Sequence, residues 1–288
     1  MKKKTIIILA LVIILALAGA ALAAVRLYAH EKEQNEALRE LAEQMITLQE
    51  EKRAAEDASS EERTAELESR ITRLEVQADY AEADYRWFAI GNSITVHAPN
   101  EVWWNTAGMA ASEPSRDYVH LAAETLNSLK GKTAVHPLYF YEWETAEGNR
   151  GEKLSLLDPY LDPRLQLVTV QLGENAEDLT TFEQDLEELI RYVRGKAPEA
   201  RILVIGDFWS SGEREQMKRE AAEKTGAEFV SLEEIRDNPE YQAGMGAVVY
   251  DPAGNPHTVE NEDVAGHPGD RGMQYIADRL TEALKNEP

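Results

Sequence analysis

From Ala29 to Tyr85 the chain contains neither glycine nor proline, and no other stretch of that length lacks both. It is dense instead in Glu, Ala, Arg, Leu and Gln, which are strong helix formers. Leu38, Leu41, Met45 and Leu48 step by three and four, and so do Leu67, Ile71, Leu74, Ala78 and Ala81. That is the a/d spacing of a coiled-coil seam. The two runs fall out of phase by one residue between Glu56 and Glu61, which predicts a stutter, a break or a hairpin there. Residues 29–85 therefore read as a coiled-coil-like helical stalk. Self-association through the seam would make a homo-oligomer; the bland alternative is one solvated helix without a partner.

Ahead of the stalk, Met1-Lys2-Lys3-Lys4 precedes an uncharged apolar run from Thr5 to Val25. Lysines in front of such a run stay on the cytoplasmic side and send the remainder outward. A cleaved signal peptide would use a small-residue site, and Ala21-Leu22-Ala23 would serve. An uncleaved anchor needs about 20 apolar residues to cross the hydrocarbon core. The run supplies them, which favours a signal-anchor, a transmembrane helix within residues 1–28. The expected location is the cell membrane, single-pass, with the rest extracytoplasmic; secretion after cleavage is the alternative.

Glycine and proline return in residues 86–288, a normal size for one domain. Short apolar strands are predicted at Trp87–Ile90, Val135–Tyr141, Leu167–Leu172, Ile202–Ile205 and Glu228–Ser231. Helices are predicted at Asp117–Leu129, Thr181–Arg194, Gly212–Lys224 and Asp270–Lys285. Thr181 stands before Gln184 at capping-box spacing. Continuous apolar strands alternating with helices predict an α/β fold, a three-layer α/β/α arrangement around a parallel, flavodoxin-like sheet. The chain carries 53 acidic against 30 basic residues, a net charge of −23. That argues against a nucleic-acid binder, which needs basic stripes. The absence of cysteine excludes a thiolate nucleophile, disulfides and Cys-based metal sites.

In such a fold, ligands bind beyond the carboxyl ends of the strands where the strand order reverses, between the first and third strands. Just past them lie Gly91-Asn92-Ser93 and Gly173-Glu174-Asn175. The first offers a hydroxyl in a tight turn and the second a side-chain amide near a glycine. A hydroxyl needs a base to become a nucleophile, and a developing oxyanion needs fixed donors. Among the histidines, His267 sits in a loop directly before the last predicted helix and ranks first as base. His257, in a polar loop, ranks second. His97, four residues after Ser93, could line the pocket.

At these residues the domain resembles the SGNH/GDSL hydrolases. Gly91-Asn92-Ser93 is similar to their first block, with Asn where the common form has Asp. Gly108 resembles the glycine of the second block, and Gly173-Glu174-Asn175 the third. His267-Pro268, with Gly272 beyond, resembles the last. The blocks occur in order across nearly all of residues 86–288. The resemblance implies the SGNH hydrolase fold, with Ser93 as nucleophile and His267 as base. It also implies an oxyanion hole from the N–H groups of Ser93 and Gly108 and the Asn175 amide. The family usually places Asp three residues before the histidine; here that residue is Val264, and Asp263 lies one further back. Three outcomes stay open: Asp263 completes a triad, a backbone carbonyl orients the ring of a Ser–His dyad, or the site has lapsed.

Trp103 and Trp104, between the nucleophile turn and Gly108, are candidates for a sugar platform or for plain packing. Trp143 and Trp209 follow predicted strands and could approach the cleft. No metal-binding spacing, phosphate loop or dinucleotide fingerprint is present, so no metal and no cofactor is expected. The expectation is a serine esterase acting on acyl or acetyl esters, with carbohydrate-borne esters a candidate class. The rival is a catalytically silent glycan-binding or scaffold module on a tethered stalk.

Overall fold

The structure, a computed structural model, describes residues 32, 35–56 and 60–285. The predicted transmembrane or signal segment, residues 1–28, lies outside the described residues. Among the described residues no helix is long and apolar enough to cross a membrane. The chain divides into two units, with the boundary between Ala81 and Glu82.

Residues 35–56 form helix α1 and Glu61–Glu82 form helix α2, of which all but the last residue belong to the first unit. The seam residues of the two runs meet each other. Leu48, Ala55, Leu67 and Leu74 are buried in one cluster, with Leu41, Met45 and Ile71 packed against it. Arg63 bonds Glu51 at 2.9 Å and Lys52 bonds Glu68 at 2.7 Å. These pairings fold α2 back along α1. Of the outcomes the phase slip allowed, the structure takes the hairpin. The long coiled-coil stalk is corrected accordingly: apolar residues expected to face a second chain are covered by the same chain.

The second unit is built on five parallel strands, β1 (Tyr85–Gly91), β2 (Thr133–Tyr139), β3 (Leu167–Gln171), β4 (Arg201–Ile205) and β5 (Glu228–Val230), in the order β2-β1-β3-β4-β5. Every residue of β3 is buried, as expected of a central strand covered on both faces. Pro137 cannot donate to a ladder, and it sits in β2, an edge strand. The connecting helices are α3 (Tyr118–Lys130), α5 (Phe182–Lys196), α6 (Gly212–Thr225) and α8 (Asp270–Lys285). Parallel crossovers are right-handed. The step from β1 to β2 runs opposite to the steps from β3 to β5, so α3 lies on one face and α5 and α6 on the other. Trp87, Ala89, Leu167, Leu203 and Ile205 share a core with residues of α3 and α8. The alternate positions Phe88, Ile90, Val168, Val170, Ile202 and Val204 are buried as well, as strand alternation requires when both faces are covered.

The sequence did not predict four short pieces: helix α4 (Tyr141–Glu144), helix α7 (Glu262–Ala265) and the antiparallel pair β6 (Val248–Tyr250) and β7 (Pro256–Thr258). β2 ends two residues earlier than predicted, because Tyr141 already starts α4. The capping box at Thr181 does not form: the Thr181 hydroxyl donates to Asp185 at 2.7 Å instead.

Candidate active site

Strand register brings the site together. Gly91 pairs with Tyr139 on one side and Gln171 on the other, so the segments that follow these residues leave the sheet at one edge. Gly91 must be glycine: a Cβ there would lie 1.9 Å from Thr95 Oγ1. The tight turn it permits lifts Ser93 to the surface of the edge while Asn92 and Ile94 stay buried. Gly173, after β3, has φ +125°, a backbone conformation that side chains rarely adopt.

Ser93 Oγ lies 2.8 Å from His267 Nε2. His267 Nδ1 lies 2.7 Å from the main-chain oxygen of Asp263. A carbonyl can only accept, so Nδ1 carries the proton and the Nε2 lone pair faces the serine hydroxyl. The Asp263 carboxylate is exposed and does not meet the ring. The local fold explains why. Asp263 sits in the single turn α7, where carbonyls lack intrahelical partners, and its oxygen projects forward to His267. Asp263 as a triad carboxylate is therefore corrected to a carbonyl-oriented dyad. Trp209 packs edge-on against the imidazole at 4.9 Å and donates its Nε1–H to Gly266 O at 3.0 Å. Burial lowers the His267 pKa to about 4, the Asp263 carbonyl opposing that shift and His97 adding to it.

Of the three expected oxyanion donors, two remain available. Ser93 N–H has no partner among the described residues. Asn175 Nδ2 donates one N–H to Glu144 at 2.7 Å, which leaves its second. Gly108 does not join them. Its N–H donates to Asp117 Oδ2 at 3.0 Å. Asp117 is 1% exposed and caps α3, accepting also from His120 N at 2.7 Å, so the N–H expected at the oxyanion serves the buried carboxylate. A Cβ at Gly108 would lie 2.3 Å from Ile94 O; close packing is what demands glycine there.

Trp103 is fully buried and cannot form a sugar platform. Trp104 stacks on His257 at 4.6 Å and borders a separate cavity of 270 Å³ with Thr258, Glu260 and Asn261. His257 lies 3.3 Å from Asp251 and is not the base. Trp143 is buried under the Arg150 guanidinium. His97 packs edge-on against Tyr139, and Tyr139 stacks on Tyr141 at 5.8 Å. Tyr141 and Asn175 border a cavity of 510 Å³ together with Thr145, Glu147 and Glu177.

Sequence reasoning missed Glu144. This carboxylate is 0% exposed. It accepts from Asn92 Nδ2 at 3.1 Å, from Gly173 N, and from Asn175 N and Nδ2. Glu174, with its side chain 1% exposed, accepts from the same Asn92 amide at 2.9 Å and from Gln171 at 2.9 Å. Lys218, fully buried, lies 3.7 Å from Glu174 and 2.6 Å from Asp207, and Arg214 bonds Asp207 at 2.9 Å. The only sequence signal for Glu144 was an acidic residue in a segment expected to be loop.

No family model and no curated protein matches the chain. Among solved structures, it is similar to a psychrotrophic esterase, EstA, from Pseudoalteromonas sp., at 12% identity and TM-score 0.46, over 70% of this chain and 97% of that one. It is similar to an active-site mutant of a family two carbohydrate esterase from Clostridium thermocellum, at 20% identity and TM-score 0.47, over 71% of this chain and 64% of that one. A protein from Parabacteroides merdae described as a GDSL-like lipase is similar at 15% identity and TM-score 0.44, over 71% of this chain and 97% of that one.

Proposed function

We propose that the second unit is a serine esterase of the SGNH/GDSL type. The observation that carries this reading is the 2.8 Å contact between Ser93 Oγ and the unprotonated Nε2 of His267. In the proposed cycle, His267 takes the Ser93 proton as Oγ attacks the ester carbonyl. Ser93 N–H and the free N–H of Asn175 hold the oxyanion. His267 then protonates the leaving alcohol, and water hydrolyses the acyl-serine by the reverse sequence. An imidazolium facing a carbonyl dipole is stabilised less than one facing a carboxylate, so turnover is expected to be modest.

Carbohydrate esters are the substrate class we propose first. Tyr139 and Tyr141 expose a stacked ring pair beside the 510 Å³ cavity, whose rim offers Thr145, Glu147, Asn175 and Glu177 for hydroxyl groups. We further propose that residues 1–28 anchor the chain in the membrane with the esterase extracytoplasmic.

The occupied Gly108 N–H and the missing carboxylate on His267 favour a second reading, a silent ester- or glycan-binding module. Turnover of an aryl acetate by the full chain, with fluorophosphonate labelling of Ser93, separates the two. Ser93→Ala and His267→Ala are each expected to lower kcat by about 10⁴ or more. Unchanged turnover in the Ser93→Ala protein would refute the esterase.

A further inference from the structure

We infer that Glu144 is a positioning residue that fixes the oxyanion hole, acting through Asn175 and Asn92. This rests on the esterase reading and goes beyond it, because Glu144 touches no reacting atom.

The argument is one of donors and acceptors. An ionised carboxylate only accepts, and among the described residues the hydrogen-bond partners of the Glu144 carboxylate are all N–H groups: Asn92 Nδ2, Gly173 N, Asn175 N and Asn175 Nδ2. The last contact, at 2.7 Å, decides which way the Asn175 amide lies. With a carboxylate opposite, Nδ2 must face it, and the second N–H of that nitrogen is left for the oxyanion. Were the amide turned over, its oxygen would stand there and repel the developing charge. The contacts to Gly173 N and Asn175 N hold the main chain of the same loop. The contact to Asn92 Nδ2 ties that loop to the residue before the nucleophile.

The same geometry accounts for asparagine at position 92. Both of its N–H bonds are used, one by Glu144 and one by Glu174, while its Oδ1 accepts from Ile94 N at 3.1 Å. An aspartate there would bring a third carboxylate against two buried ones. The departure of Asn92 from the common first block and the presence of two buried glutamates are one arrangement.

The test is a double-mutant cycle on aryl acetate turnover by the full chain. Glu144→Gln is expected to lower kcat by about 10²–10³, the typical effect of losing an oxyanion donor, with KM within about twofold. Asn175→Ala is expected to do the same. If Glu144 acts through Asn175, adding Glu144→Gln to Asn175→Ala changes kcat no further. Glu144→Asp, which keeps the charge, is expected to recover part of the loss and guards against a Gln variant that fails to fold. Wild-type kcat in Glu144→Gln, or effects that multiply in the double variant, would overturn the inference while leaving the esterase standing. A wild-type chain that neither turns over ester nor takes up fluorophosphonate would overturn both.

Discussion

The two flanks of Ser93 are built from different materials. On one side the proposed base, His267, is held by uncharged groups: a backbone carbonyl on Nδ1, the Trp209 ring, and enough burial to bring its pKa to about 4. On the other side the Asn175 loop rests on buried charge: Glu144 and Glu174, then Lys218, Asp207 and Arg214 beneath them. A proton acceptor must change charge during the reaction, and a neutral, dipolar setting lets it do so without breaking an ion pair. A hydrogen-bond donor that must not move gains from acceptor-only partners, which admit one orientation. The difference between the flanks matches the difference in the tasks proposed for them.

The sharpest way to break the charged flank is Asn92→Asp. It removes two donors from Glu144 and Glu174 and puts a third carboxylate between them. An unpaired buried charge costs about 3–5 kcal/mol, so denaturant unfolding should show a loss of at least about 3 kcal/mol. A change under 1 kcal/mol would mean that the two glutamates are not both charged.

Acid separates the flanks next. Burial and Glu174 hold the Glu144 carboxyl above its usual range, with bonds from Asn175, Gly173 and Asn92 opposing; Tyr139 faces the same charge, and Lys218 lies beyond Glu174. Glu144 is therefore expected to protonate first as pH falls, loosening Asn175. His267, facing His97 and the Asp263 carbonyl, keeps its lone pair until about pH 4. The profile of kcat/KM should fall in two steps, the upper above pH 4.5 and the lower near 4, each approaching tenfold per pH unit. Glu144→Gln should lose the upper step and keep the lower. A single step near 6.5, the value of an ordinary imidazole, would show that His267 is not buried as described.

The smallest expected effect belongs to the neutral flank. Trp209→Phe keeps a ring against the imidazole but deletes the bond to Gly266 O. That bond is worth about 1 kcal/mol, so kcat should fall by a few-fold with no shift of either acid step.

Much of this was legible in order and spacing. The five parallel strands are revealed by apolar runs, since a strand covered on both faces has no polar alternation to hide it. Ser93, Asn175 and His267 are legible because glycine turns and a pre-helix loop mark where side chains can leave the sheet edge. Glu144 and Asp117 are not, and of Trp209 only the approach to the cleft is. Their roles depend on which hydrogen-bonding groups surround them: N–H groups of Asn92 and Gly108 for the two carboxylates, and the carbonyl of Gly266 for the indole.

The residue order alone determined an acidic, cysteine-free chain with a helical segment ahead of a parallel α/β domain, and it put Ser93 and His267 forward as candidates for the chemistry. The tertiary structure decided that the helical seam closes on itself, that Asp263 contributes a carbonyl and not a carboxylate, and that the Gly108 N–H goes to Asp117. The physical reason is that apolar periodicity is a local property of the chain. The partner of a given N–H or carboxylate is set by what other segments bring within about 3 Å of it.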